Sequence, residues 1–228
     1  MTHAAVPATP SIFDLEYHAV LFDMDGTLID STAAVERSWA RWADDWKVDP
    51  GFMTNGHGRP AADLVRSLVP EGDVPAALAH LLRLEGEDTV GVVTLPGVAL
   101  MLASLPVDRW AIVTSSTRTV ARARLAAAGL PVPPVLVTFD DVDHGKPDPQ
   151  PFQLAARRMG VDPNGCLVVE DAIAGLVAGR SAGCSTLAVS GTHSAGDLIP
   201  YADSIVSSLE RLTFSARSNV VSLRASES

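Results

Sequence analysis

The sequence predicts an α/β protein whose mainly parallel, doubly wound sheet carries an inserted helical domain. Three observations lead there. Short apolar runs recur at Val20-Leu21-Phe22, Trp110-Ala111-Ile112-Val113, Val135-Leu136-Val137, Leu167-Val168-Val169 and Thr186-Leu187-Ala188-Val189. Such runs read as strands buried on both faces. Ala-rich helical stretches at 97–105, 117–128, 150–159 and 172–182 alternate with them. Strand alternating with helix builds right-handed βαβ units, with helices on both faces of a parallel sheet. Residues 32–92 break this rhythm and contain no evident strand. The whole is a Rossmann-like core with a cap.

Taken in order, residues 1–16 read as a loose N-terminal arm, interrupted by Pro7 and Pro10. The core is expected at 17–31 and resumes over 93–212. Between these segments the pattern suggests three cap helices, at 32–47, 60–69 and 75–88. Trp39, Trp42 and Trp46 fall on one helix face. That stripe suits the core of the insertion, and it would also suit the wall of a binding cleft. The Ser-rich segment 213–228 shows little apolar periodicity and is expected to be a loose C-terminal tail. No internal repeat is visible.

The chain has 228 residues, 47% hydrophobic and 19% charged, enough to bury a sizeable core. With 17 Lys and Arg against 27 Asp and Glu, its formal charge is −10. This balance speaks against nucleic acid or an anionic membrane surface as partner. A phosphorylated small molecule stays open, because local cations or a metal override the global field. Cys166 and Cys184 are too few for a disulfide framework and suit a reducing cytosol, where buried cysteines are inert core residues. Residues 1–18 contain no Lys or Arg, so the basic start of a secretory signal is missing. No apolar stretch is long enough to span a bilayer. A cytoplasmic protein is expected, as a monomer or weak homodimer.

Ligands of open α/β sheets sit beyond the carboxyl ends of the strands. Here those ends carry Asp23, Thr114-Ser115, Thr138 and Glu170-Asp171. Asp23-Met24-Asp25-Gly26-Thr27 places two acids on one side of a tight turn that Gly26 permits. One carboxylate can attack phosphorus, and the other can protonate the leaving oxygen and then activate water. Thr114, Ser115 and Ser116 offer hydroxyls to a phosphoryl group. Lys146, in Gly145-Lys146-Pro147-Asp148-Pro149, opens a helix and can neutralise charge on nucleophile and phosphate. Glu170-Asp171 supplies hard oxygen ligands suited to Mg²⁺. Singly, each has a plain alternative: a serine caps, a lysine is solvated, an acidic pair ends a strand. Together, in this order and at strand ends, they point to one site.

On these residues the sequence resembles the haloacid dehalogenase-like hydrolase superfamily, in its branch with a helical cap after the first strand. The likeness covers roughly residues 17–210 and includes four motifs: Asp23-Met24-Asp25-Gly26-Thr27-Leu28, Ile112-Val113-Thr114-Ser115, Gly145-Lys146-Pro147, and Val169-Glu170-Asp171 followed by Ala174-Gly175. The resemblance implies that Asp23 is the nucleophile and a Mg²⁺ ligand. Asp25 would be general acid, then base, with its carbonyl on the metal. Ser115 would hold the phosphoryl group with Lys146, with Thr114 as the alternative hydroxyl. Asp171 would be a metal ligand, supported by Glu170. An acid at Asp25 looks like the phosphatases and phosphomutases, since dehalogenase-type members usually lack it.

In the expected cap, Asn55-Gly56-His57-Gly58-Arg59-Pro60 looks like the substrate-specificity loop of this branch, with His57 and Arg59 as candidate substrate-binding residues. The plain alternative is an ordinary interhelical turn. This loop, with the stretch from Trp110 to Arg118, is similar to glycerol-phosphate and deoxyhexose-phosphate phosphatases, more loosely than to the superfamily. The expected substrate is therefore a small sugar or polyol phosphate monoester. A β-phosphoglucomutase is the runner-up. Such mutases carry a His in the first cap helix where this chain has Val35, between Ala34 and Glu36. Phosphoglycolate phosphatase is a second alternative. A binding module that keeps only the fold would have lost the nucleophile, the acid or a metal ligand, and none is lost.

Overall fold

The structure, a computed structural model, describes residues 11–49, 51–52, 61–217 and 220–225. Its centre is a six-stranded sheet. Along the chain come β1 (Glu16–Tyr17), β2 (Ala19–Phe22), β3 (Ile29–Asp30), α1 (Thr32–Trp46), α2 (Ala61–Leu68), α3 (Val74–Glu87), β4 (Val93–Thr94) and α4 (Val98–Ser104). There follow β5 (Trp110–Val113), α5 (Arg118–Ala127), β6 (Leu136–Val137), α6 (Gln150–Met159), β7 (Cys166–Glu170), α7 (Ile173–Ser181), β8 (Ser185–Val189), α8 (Ala195–Leu198), β9 (Ser204–Val206), β10 (Leu212–Arg217) and β11 (Val220–Ala225).

The central order is β6-β5-β2-β7-β8-β9, parallel throughout. Every residue of β2, β5 and β7 is buried, as apolar runs covered on both faces must be. Strand periodicity divides them. Val20, Phe22, Ile112, Leu167 and Val169 face one apolar cluster with Met101 and Leu102 of α4 and Leu125 of α5. Ala19, Leu21, Ala111, Val113 and Val168 face the other, with Phe152 and Ala155 of α6 and Ala178 of α7. Among the described residues no helix is long and apolar enough to cross a membrane.

Register positions the site. Phe22 lies opposite Ile112 of β5 and Val169 of β7. The residues that follow, Asp23 beside Val113 and Glu170, therefore emerge together at the carboxyl end of the parallel strands.

Helices α1, α2 and α3 form a separate apolar cluster around Trp39, Trp42, Leu64, Val65, Leu81 and Leu84. The tryptophan stripe is interior here. Trp42 is fully buried and donates its indole N–H to the Ala77 carbonyl at 2.8 Å, and Trp46 reaches His80 Nδ1 at 3.1 Å. The two connections between helices and sheet pair with each other as antiparallel β3 and β4.

Both chain ends depart from expectation. The segment expected as a loose tail forms the antiparallel hairpin β10–β11, to which β1 adds as a third strand. Leu212, Phe214, Val221 and Leu223 are buried against the first cluster, and the Phe214 ring meets Phe22 edge-on at 6.1 Å. The reason is alternation. Leu212 and Phe214, then Val221 and Leu223, are apolar every second residue, and the intervening Thr and Ser face outward. The N-terminal arm is likewise docked over its described part. Ile12 is buried and its carbonyl accepts the Tyr17 hydroxyl at 2.9 Å.

Candidate active site

The site begins with the turn after β2. Gly26 sits at φ +82°, and a Cβ there would lie 2.1 Å from Asp171 Oδ2. Glycine thus serves the turn and also lets the acidic end of β7 approach. The turn closes through the Met24 carbonyl, which accepts from Leu28 N–H at 2.8 Å and Ile29 N–H at 3.1 Å.

Lys146 joins three strand ends. Its ammonium donates to Asp23 Oδ1 at 2.6 Å, Glu170 Oε1 at 2.6 Å and the Val113 carbonyl at 2.8 Å. The Phe152 ring lies 5.2 Å from the same nitrogen. All three N–H donors are thus occupied, which fixes the cation. Glu170 uses its other oxygen to accept the N–H groups of Asp171 and Ala172, both at 3.0 Å. Gly175 makes room for it, since a Cβ there would fall 1.7 Å from Glu170 Oε1.

Asp23, Glu170 and Asp171 are all buried, and each offers an oxygen within 4.8 Å of the others. Burial pushes the Asp23 carboxyl well up from the usual range; Lys146 opposes this, while Glu170 and Asp171 add to it. Burial and the neighbouring Glu170 push Asp171 up to about 7, against hydrogen bonding from Thr192. Burial alone would discharge Lys146, but Asp23 and Glu170 overcome it and hold the ammonium charged. Three buried carboxyl groups share one ammonium, so the cluster holds more acids than the lysine can balance. Its hard oxygen donors fit a divalent cation such as Mg²⁺.

Asp25 stands apart from that cluster. Its Oδ1 accepts from the Ser31 hydroxyl at 2.6 Å and from Arg124 Nη1 at 3.1 Å, and its Oδ2 from the Ser116 hydroxyl at 3.1 Å. Thr114 is buried at the end of β5, where its hydroxyl oxygen accepts the Ser116 N–H at 3.1 Å. Ser115 is exposed beside it. His57 and Arg59 lie outside the described residues.

Five residues near the site carry no assigned role in the sequence reading, Thr27 of the first motif among them. Thr27 donates to Asp171 Oδ1 at 3.3 Å, and Thr192 hydrogen-bonds the same side chain. His193 Nδ1 lies 3.2 Å from the Asp171 carbonyl. Ser31 and Arg124 hold Asp25. Arg124 had a readable signal, because helical spacing puts it on the buried face of α5 with Val120 and Ala121. Thr192 and His193 follow β8 in a loop whose approach to Asp171 is set by tertiary packing.

Comparison with known proteins agrees with this arrangement. The haloacid dehalogenase-like hydrolase family matches residues 17–183. Hexitol phosphatase A of Escherichia coli K12 is 40% identical over 208 residues, covering 87% of this chain and 94% of that protein. Glycerol-1-phosphate phosphohydrolase 1 of Saccharomyces cerevisiae is 32% identical over 206 residues, covering 82% of this chain and 80% of its own length. Among solved structures, a hydrolase from Pseudomonas syringae superposes with a TM-score of 0.73 at 26% identity, covering 84% of this chain and 94% of the other. A buried lysine–carboxylate cluster at the ends of parallel strands, a family match across most of the chain and phosphatase relatives over nearly its full length agree: this protein belongs to the haloacid dehalogenase-like hydrolases.

Proposed function

We propose that the protein is a Mg²⁺-dependent phosphoric monoester hydrolase acting on a small sugar or polyol phosphate through an aspartyl-phosphate. The observation that supports it most is the placement of Asp23. It sits at a strand end with one oxygen on Lys146 and the other free of the lysine, beside two further buried carboxylates. The phosphatase names of the two relatives above favour a sugar or polyol ester.

In this reading the free oxygen of Asp23 attacks phosphorus. The P–O bond to the sugar or polyol breaks, and protonated Asp25 gives its proton to the departing alkoxide. Asp25, now a carboxylate, takes a proton from water, whose oxygen bonds to phosphorus. The bond between phosphorus and Asp23 breaks, releasing phosphate and restoring the Asp23 carboxylate. Lys146 neutralises charge on Asp23 and on the phosphoryl oxygens, with hydroxyl support from Thr114, Ser115 or Ser116. Asp23 and Asp171 would hold the cation together with the Asp25 carbonyl, and Glu170 would keep Lys146 in line. The cation supplies further charge neutralisation at the phosphoryl group. His57 and Arg59 would contact the alcohol portion of the substrate.

The test is phosphate release from glycerol phosphates, hexose and hexitol 6-phosphates, β-glucose 1-phosphate and phosphoglycolate, with Mg²⁺ and with EDTA. Turnover of a polyol or sugar phosphate that needs Mg²⁺ and vanishes in Asp23→Asn is the expected result. Conversion of β-glucose 1-phosphate to the 6-phosphate without phosphate release would replace hydrolysis by a mutase reaction.

A further inference from the structure

Arg124 is buried, with its side chain 3% exposed, among the apolar residues Val120, Ala121 and Leu125 of α5. Its Nη1 donates to Asp25 Oδ1 at 3.1 Å and to the Ser116 hydroxyl oxygen at 3.3 Å. Its Nη2 lies 3.7 Å from Glu85 Oε2, inside ion-pair range but beyond a hydrogen bond. Nε and Nη2 have no hydrogen-bond partner among the described residues. Glu85 is itself buried, on the stripe Ala77, Leu81, Glu85 of α3, one of the three helices that pack apart from the sheet.

A buried guanidinium with unmade hydrogen bonds contributes little to stability, and an apolar side chain of similar size often does as well. What the arginine adds is orientation. Its planar fork fixes direction in a way a flexible chain does not. Ser31, Ser116 and Arg124 reach Asp25 from three separate segments and occupy both of its oxygens. Proton transfer to a leaving alkoxide demands such placement, since small misalignment costs rate steeply. The other side of the same guanidinium faces a carboxylate on the capping helices.

We infer that Arg124 is a positioning residue for Asp25, and that through Glu85 it ties the orientation of Asp25 to helix α3. This rests on the reading of Asp25 as general acid. The buried charge is retained because it aims a proton donor and registers where α3 lies.

The test uses leaving-group dependence, which a purely structural role would not move. An acid matters most when the leaving group is a poor one, such as a polyol, and least for 4-nitrophenolate. Rates would be measured for Asp25→Ala, Arg124→Met, Arg124→Lys and Glu85→Gln on the best polyol phosphate and on 4-nitrophenyl phosphate, with thermal unfolding alongside. Arg124→Met is expected to lose at least about tenfold more kcat/KM on the polyol phosphate than on the aryl ester. The reason is that kcat/KM reports the step that releases the alcohol, whereas hydrolysis of the aspartyl-phosphate is common to both esters; the bias is read in kcat/KM for every variant. Arg124→Lys should recover part of the loss, and Glu85→Gln should show the same bias more weakly. Equal losses on both esters, or no loss, would overturn the inference while a biased Asp25→Ala leaves the acid reading standing. An unbiased Asp25→Ala would overturn both. Should Arg124→Met not fold, Arg124→Lys decides: a biased loss supports the role, and an unbiased loss or none overturns it.

Discussion

Two charge clusters, one of three carboxyl groups and one around a single carboxylate, lie beyond the carboxyl ends of the central strands, and they are built in opposite ways. At the ends of β2 and β7, Asp23, Glu170 and Asp171 share one ammonium, and burial raises both Asp23 and Asp171. Beyond β6, Asp141 alone meets Arg158 at 2.9 Å as well as Arg118, and accepts the N–H and hydroxyl of Thr138 at 2.9 and 2.8 Å. Burial there is outweighed by these partners, and the Asp141 carboxyl is lowered to about 2. One cluster keeps unbalanced charge out of water and the other satisfies its charge fully. The contrast teaches that the first depends on the surrounding fold to hold it together, as the proposed cation and phosphate site requires, whereas the second helps hold the fold.

The sharpest way to break this contrast is to exchange an aspartate for asparagine in each cluster. Asp23→Asn should reduce phosphate release by at least about a thousandfold, because an amide is no nucleophile. Asp141→Asn should leave turnover within about twofold, as it touches no reacting group in the proposed chemistry. Comparable losses in the two variants would erase the distinction.

Next in size is Gly175→Ala. A methyl group 1.7 Å from Glu170 Oε1 must displace that carboxylate or the start of α7. A loss of about 3 kcal/mol is expected in urea unfolding, with turnover falling as Glu170 leaves Lys146. An unchanged midpoint would mean that α7 shifts freely.

The pH dependence of stability should differ between the clusters. Asp171 has a folded pKa of about 7, above its unfolded value, so it favours the folded state at low pH and that contribution is lost as pH rises through about 7. In EDTA the melting temperature should fall by about 5 °C between pH 5 and pH 8, and Asp171→Asn or added Mg²⁺ should flatten the slope. A slope identical in Asp171→Asn would remove this carboxyl as its source.

Asp141 has the opposite sign. Its folded pKa is below its unfolded value, so its contribution is present above the usual carboxylate range and lost as pH falls toward about 2. Asp141→Asn should therefore cost about 1 kcal/mol at pH 7, the smallest effect here, and less at pH 3. Denaturant titrations at the two pH values would show it.

Legibility in the sequence followed the range of the interaction. Five of the six central strands were readable because each is a run of apolar residues ended by a polar one, as at Phe22-Asp23 and Val169-Glu170, whereas the half-buried edge strand Ser204–Val206 carries no such run. The motif residues were readable because the carboxyl ends of parallel strands gather on one side of the sheet. The hairpin over Leu212–Arg217 and Val220–Ala225 was obscured by its serines, although its apolar residues alternate. Arg124 was passed over because a charged residue on an Ala-rich helix ordinarily faces water, and only its spacing with Val120 and Ala121 marked it as interior. Strands β3 and β4 are too short to carry a pattern, and their pairing joins positions far apart in sequence.

Composition and local pattern thus determined the fold class, the helical insertion and the set of residues at the strand ends, because burial and backbone period act within a few residues. The tertiary structure decided how those residues share charge. It gave Lys146 to both Asp23 and Glu170, left Asp171 without a cationic side-chain hydrogen-bond partner among the described residues, and placed Arg124 between Asp25 and Glu85. Each of those contacts is set by strand register and helix packing, which bring distant segments within hydrogen-bond range and which no local pattern encodes.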